Sequence, residues 1–524
     1  MHWAAAGVFA ACLLLVTVLG LWASRWRRGD LDAIEEWALG GRRFGAVLTW
    51  FLIGGDFYSA YTIIAVPALV YGVGANGFFA LVYTILVYPF VFVVMPRLWR
   101  VSRRRNYSTL ADFVRGRYGS RRLALAVAVT GILATLPYLA LQLLGMQVAI
   151  AALGFRSPAE AGNIGLVAAF LILVAYDYVS GLRAPAIVAI AKDAMVYIVI
   201  LAAVIWIPMR LGGYGRVFKL AGAALAAHHP AGALVLQPGQ YLAFATLALG
   251  SAFAAFLYPH TATSILSAAS DHAIERNAVF LPAYTFLLGL IALLGYVALA
   301  AGVHTATPNG VVPALFDGMF PPWFAGFAMA AIAIGALVPA AVMSIACGTL
   351  FTRNLWREYV NPGLDPRREA RLAKRVSLLL KLAAVGFVIF GDQTYAINLQ
   401  LLGGIWILQT FPAVIFGLYR NWLHPRALGA GWALGMLLGT AMAWKLGLRT
   451  SVYPLHLGGW TLAAYAALDA LLVNVAVAVL LTPVCRRFGG GSDETEPGDY
   501  LPGGAARLTQ PASLVQPKAA TRVL

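Results

Sequence analysis

The sequence predicts an all-α polytopic membrane protein with about 13 transmembrane helices and a 5+5 inverted-repeat core. Three observations lead there. The first is composition: of 524 residues, 61% are hydrophobic and 11% charged, and the mean hydropathy is +0.79. That is too little charge to coat a soluble domain of this length. The second is the recurrence of apolar runs of about twenty residues, each enough to cross a bilayer. The third is a pair of interrupted runs standing five apart. Breaks at corresponding places in two halves mark an inverted repeat, because a repeat of five helices re-enters the membrane from the opposite side.

In chain order the runs lie near 3–24, 45–71, 76–98, 122–153, 162–180, 185–209, 238–262, 278–302, 322–350, 375–391, 394–419, 427–447 and 459–484. The first is followed by Arg25, Arg27 and Arg28, whereas a signal peptide carries its charge in front. It reads as a retained helix with its N-terminus outside. Of the 38 Lys and Arg, thirty then fall in cytoplasmic loops or the tail and six in outer loops, with Lys192 and Lys381 inside runs. Positive charge collects on the cytoplasmic side, so the count supports this orientation and a cytoplasmic C-terminus. The same distribution excludes a nucleic-acid reading of the net charge of +17, since the basic residues are spread over loops.

Cys12, Cys347 and Cys485 form no CxxC and no metal-ligand spacing. No Walker motif with a P-loop lysine is present, so ATP is not an expected partner. The expected division is 1–44, a first helix and cytoplasmic loop; 45–421, the core; 422–487, two C-terminal helices; and 488–524, a disordered tail too poor in apolar residues to fold.

Polar residues inside the runs are the candidate functional groups, because each is costly in a bilayer. Run two carries Gly54, Gly55, Asp56, Tyr58, Ser59 and Thr62 ahead of Pro67; run seven carries Ser251, Tyr258, Pro259, His260 and Thr261. In run four Tyr138 and Gln142 share a face at i, i+4; in run eleven Gln409 precedes Pro412. For each amide a plain helix–helix hydrogen bond is the alternative. Lys192 and Asp193 open run six; as neighbours they point in different directions, so a mutual pair is not required, and snorkelling is the plain alternative. Run nine carries Ala340, Ala341, Ser344, Ala346 and Gly348. These let a neighbouring backbone come close, and Ser344 with freed carbonyls offers oxygen to a desolvated cation; the plain alternative is a packing seam with Ser344 bonded to its own helix.

The order of these features resembles the sodium:solute symporter family over nearly the whole chain. The matching words are Glu36 to Arg42 (EWALGGR), Gly54-Gly55-Asp56, Leu136 to Gln142 (LPYLALQ), Tyr258-Pro259-His260, Val338 to Ser344 (VPAAVMS) and Leu402 to Gln409 (LGGIWILQ). Within the family the chain is most similar to bacterial monocarboxylate permeases.

The resemblance implies an ion-coupled secondary importer of short monocarboxylates such as lactate and pyruvate, in a bacterial inner membrane. It implies no enzyme activity, no cofactor beyond a coupling ion, H+ or Na+, and no partners beyond substrate and lipid. It places the substrate among Tyr58, Ser59, Thr62, Tyr138, Gln142, Tyr258, His260 and Gln409. It places a sodium site on Gly55, Tyr58, Ala341 and Ser344, bordered by Asp193 and Lys192. Ile345 stands where the family has a second hydroxyl and offers sodium no ligand. Burial disfavours the charged form of Lys192 and of Asp193 alike, so either is a candidate proton carrier. Two alternatives stay open: a sodium-coupled symporter for an amino acid or vitamin, and a membrane sensor domain.

Overall fold

The computed structural model describes residues 3–26, 29–154, 158–228, 231–390, 397–489 and 492–502. Its helices run α1 (Trp3–Trp22), α2 (Ile34–Leu39), α3 (Ala46–Phe57), α4 (Val66–Val73), α5 (Phe79–Val93), α6 (Met95–Arg105), α7 (Leu110–Tyr118), α8 (Arg121–Ala151), α9 (Pro158–Ser180), α10 (Arg183–Leu211) and α11 (Tyr214–Ala226). The second half runs α12 (Tyr241–Ala255), α13 (Pro259–Leu266), α14 (Asp271–Phe280), α15 (Pro282–Ala300), α16 (Val311–Met319), α17 (Pro322–Phe351), α18 (Pro366–Phe390), α19 (Ile397–Ile407), α20 (Gly417–Tyr419), α21 (Pro425–Lys445) and α22 (Ala466–Cys485). Among the described residues eight helices are long and apolar enough to cross a membrane, or up to ten with two bent pairs, so the chain is a multi-pass membrane protein.

The core is built around α17, in which every residue from Ala328 to Leu350 is buried. Its small residues allow close approach: a Cβ on Gly326 would lie 2.2 Å from the Ala5 carbonyl oxygen of α1, and one on Gly348 would lie 2.5 Å from the Ala373 carbonyl oxygen of α18. The breaks expected in runs two and seven are present. Run two splits into α3 and α4, joined by Tyr58–Ala60 and a wide π-type turn at Tyr61–Ala65. Run seven bends by 49° between α12 and α13, where Pro259 opens the second half. A further 40° bend falls in run eleven before Pro412.

On the Arg-rich face α7 is latched to the end of α17. Asn354 Nδ2 donates to Asp112 Oδ1 at 2.7 Å and Arg353 Nε lies 3.2 Å from Oδ2. Burial alone would raise the Asp112 carboxyl, but Arg353 and hydrogen bonds from Ser108, Asn354 and Thr109 hold it below the usual carboxylate range. The folded pKa is depressed, so this latch contributes stability at neutral pH and loses it as pH falls through that value.

Two expectations are corrected. The chain is not purely helical: β1 (Val452–Leu457) pairs antiparallel with β2 (Trp460–Tyr465), so the apolar run beginning near 459 enters its helix only at Ala466. Tyr453, Thr461 and Tyr465 supply the strand propensity that a hydropathy window does not see.

The tail is not wholly without structure either. Residues 492–502 dock on the Arg-rich face: Arg117 Nη1 lies 2.8 Å from Asp493 Oδ2, Arg105 Nε lies 2.6 Å from Asp499 Oδ2, and Arg104 Nη2 donates to the Leu501 carbonyl at 2.9 Å. Tyr500 is 3% exposed, with the Arg97 guanidinium 4.7 Å from its ring centroid. Low apolar content suggests disorder, but one aromatic ring and three acids, Asp493, Glu496 and Asp499, meet a surface rich in arginine.

Replacing Tyr500 by Ala removes a buried ring and a cation–π contact worth about 1–2 kcal/mol. Limited proteolysis of purified protein is expected to cut between 489 and 502 about tenfold faster in Tyr500→Ala than in the parent. Equal rates would mean that this contact does not hold the tail.

Candidate functional site: a buried ammonium at a helix break

A helix interrupted inside a membrane frees carbonyl oxygens that lipid cannot solvate. At the run-two break those oxygens meet α10. Lys192 Nζ donates to the Gly55 carbonyl at 2.7 Å and to the Tyr58 carbonyl at 2.8 Å, and Asp193 Oδ1 lies 3.0 Å from the same nitrogen. The lysine side chain is 0% exposed and the aspartate side chain 1%. Two of the ammonium's donors are thus on carbonyls, and the carboxylate faces it as counter-charge. Gly55 leaves it room: a Cβ there would sit 3.1 Å from Nζ.

Asp193 is held in turn by Tyr284 of α15, whose hydroxyl donates to Oδ2 at 2.6 Å. Tyr284 packs at 2.1 Å from where a Cβ on Gly54 would be, and the Tyr58 hydroxyl donates to the Tyr284 carbonyl at 3.2 Å. The neighbours Lys192 and Asp193 do pair, although helix geometry does not require it. Both aim at the break, the lysine reaching over its longer stem.

The rest of the expected cation site is arranged differently. Ser344 Oγ donates to the Ala341 carbonyl at 2.8 Å within α17, the bond of an ordinary packing helix. Ile345 packs among Ile34, Trp37, Ala38 and Ala373. The side chain of Asp56 lies outside the described residues.

Ser59, Thr62 and Gln142 stabilise the break itself. Thr62 Oγ1 accepts from Ser59 N at 3.1 Å and donates to the Ser59 carbonyl at 3.0 Å; Ser59 Oγ accepts from Tyr61 N at 3.2 Å. Gln142 reaches over from α8, accepting from Ala60 N at 3.1 Å. These groups satisfy the unwound backbone.

Tyr138, Tyr258 and His260 come together beside a small cavity lined by Ile53, Tyr83, Tyr138, Ala255, Tyr258, His260, Thr261 and Gln400. Ring centroids lie 5.4 Å apart for Tyr138–Tyr258 and 5.5 Å for Tyr138–His260. The Tyr258 hydroxyl donates to the Gln400 carbonyl at 3.1 Å. Among the described residues His260 Nδ1 and Gln400 Oε1 are buried without a hydrogen-bond partner. Gln409 does not line this cavity. Its amide donates to the Ile405 and Ala467 carbonyls at 3.1 and 3.2 Å and accepts from Asn474 at 3.2 Å, a helix–helix bond to α22.

Sequence reasoning missed Tyr284, Tyr83 and Gln400. Gln400 was within reach, since it is an amide inside run eleven just as Gln409 is. The tyrosines gave no signal, because aromatic residues are ordinary in apolar helices.

The model of the sodium:solute symporter family matches residues 37–439. A "Monocarboxylate transport permease protein" of Rhizobium johnstonii (strain DSM 114642 / LMG 32736 / 3841) is 55% identical over 481 residues, covering 91% of this chain and 96% of that protein. The "Uncharacterized symporter YodF" of Bacillus subtilis (strain 168) is 30% identical over 495 residues, covering 93% of this chain and 95% of that protein. Among solved structures, a Na+-coupled sialic acid symporter in a substrate-bound outward-open state superposes with a TM-score of 0.74 at 13% identity, over 92% of this chain and 98% of that one. A nucleobase-cation-symport-1 family transporter superposes with a TM-score of 0.52 at 12% identity, over 88% and 95%. At such identities these two speak for the fold alone. On the family model and the close relatives together, the chain belongs to the sodium:solute symporter family.

Proposed function

We propose that this chain imports short monocarboxylates such as lactate and pyruvate across a bacterial inner membrane, and that a proton rather than sodium is the coupling ion. The observation that carries the coupling is the Lys192 ammonium on the Gly55 and Tyr58 carbonyls. The substrate class is supported by the relative named a monocarboxylate transport permease and by a cavity walled by tyrosines and His260. We read thirteen spans, with runs two to eleven (45–421) as a 5+5 inverted repeat. Residues 1–44 precede it, 422–487 add two helices, and 488–524 form a cytoplasmic tail. The N-terminus lies outside and the C-terminus inside, as the positive-inside count favours. Transport proceeds by alternating access, with no covalent change and no ATP.

The chemistry follows from the donor count. Sodium stripped of water needs about five or six oxygens. With Ile345 in place of a hydroxyl and Ser344 turned to its own helix, carbonyls at Gly55, Tyr58 and Ala341 are too few. The tethered ammonium occupies two of them already and brings its own counter-charge in Asp193. Loss of one proton removes the charge, and with it the attraction to Asp193 and the charge assistance of the two carbonyl bonds, so the tie between the run-two break and α10 weakens. Protonation restores it. Asp193, oriented by Tyr284, is the second station on which the proton can rest.

Uptake of labelled lactate into proteoliposomes is expected to run on an inward pH gradient in sodium-free buffer. Lys192→Met and Asp193→Asn are expected to lose accumulation by at least tenfold. Removing one member of a buried pair costs about 3–5 kcal/mol, so each variant is compared with the parent per unit of folded protein. Strict sodium dependence of the parent, or full pH-driven accumulation in both variants, would refute proton coupling through this pair.

The orientation has its own test, in a background with Cys12, Cys347 and Cys485 replaced. Exposed Arg103 and Ala231 lie on opposite sides in the proposed topology. Arg103→Cys is expected to react with an impermeant maleimide only from the cytoplasmic side, and Ala231→Cys only from outside. The opposite pattern would invert the topology.

A further inference from the structure

The cavity beside His260 holds a clue to which monocarboxylates fit. Among the described residues no lysine or arginine lines it. His260 and Thr261 stand in the first turn of α13, where N–H groups have no partner within the helix and the dipole favours an anion. Beside that turn, His260 is 2% exposed and its Nδ1 has no partner among the described residues. These groups suit a carboxylate. They leave Gln400 of α19 unexplained: it is 4% exposed, it lines the same cavity, and its Oε1 is buried without a partner. A buried amide left unpaired is costly, and a carboxylate, which only accepts, cannot satisfy an amide oxygen.

We propose that Gln400 reads the substituent on carbon 2 of the substrate, so that the cavity takes 2-hydroxy and 2-oxo monocarboxylates in preference to unsubstituted acids of the same length. This deepens the import function proposed above and rests on it. A 2-hydroxyl donates to the amide oxygen. A 2-oxo group accepts from the amide nitrogen, which a half-turn of the same planar group brings into the oxygen's place at nearly equal shape. An unsubstituted acid offers neither and leaves the amide unpaired, a penalty equivalent to about 5- to 150-fold in binding. One side chain thereby accounts for accepting both oxidation states of the substrate while rejecting the acid that lacks the oxygen.

The test is uptake of labelled lactate, pyruvate and propionate by the full chain in proteoliposomes, read as ratios of kcat/KM, which do not depend on the amount of folded protein. The parent is expected to prefer lactate and pyruvate over propionate by about tenfold or more. In Gln400→Leu, and in Gln400→Met as a second side chain of similar volume, both ratios are expected to fall toward one while propionate uptake stays within a few-fold of the parent. Gln409→Leu, which alters an amide outside the cavity, is expected to leave the ratios unchanged. A parent that takes propionate as well as lactate overturns the inference, and so do unchanged ratios in either Gln400 variant. A parent that imports none of the three acids overturns the import function itself, and this inference with it.

Discussion

The contact on which the rest of the structure depends is a hydrogen bond from one ammonium to the carbonyl oxygens of a broken helix. Between α3 and α4 the chain gives up its regular ladder inside the bilayer, and the freed backbone must find partners in protein. Ser59, Thr62 and Gln142 supply some of them. Lys192 supplies two more, at 2.7 Å to Gly55 and 2.8 Å to Tyr58. Because the lysine belongs to α10, the bond ties two separate helices together. Burying such a charge is expensive unless it is paired and hydrogen-bonded, and Asp193, steadied by Tyr284, meets that condition.

Two sites of different chemistry thus lie on either side of the run-two break. One is charged: an ammonium, a carboxylate and two carbonyls. The other is neutral and hollow, walled by tyrosines and by His260. The break is common to both, since Tyr58 gives its carbonyl to Lys192 while Tyr61 stacks edge-on with Tyr83 and Tyr138 at ring distances of 6.2 Å. In the proposed mechanism a change of protonation at one site acts on the segment that carries walls of the other. That shared segment, rather than a long pathway, is the physical basis for coupling.

Much of the architecture was legible in the sequence because hydropathy and glycine–proline breaks are local signals. Both breaks are present, run seven at Pro259 and run two at Tyr58–Ala60, just past Gly54 and Gly55, which stay inside α3. The resemblance placed Lys192 and Asp193 at the border of the run-two site, but the bonds from Lys192 to the Gly55 and Tyr58 carbonyls are seen only in the structure. What stayed hidden was pairing. Gln400 and Gln409 look alike as amides in one apolar run, yet one faces a cavity and the other bonds α22, a difference set by Asn474 sixty-five residues away. Tyr284 orients Asp193 from ninety-one residues downstream. Nothing along the chain announces either partner. The docked tail was hidden for a similar reason, because composition counts apolar residues and not the arginines waiting for them.

Occupancy of the cation position tests this account most directly. Equilibrium binding of radioactive sodium to the purified parent, measured with and without lactate at neutral pH, reads that position without any transport step. The account predicts no saturable sodium binding, because the Lys192 ammonium already fills the position. Saturable binding of one sodium per chain would contradict it.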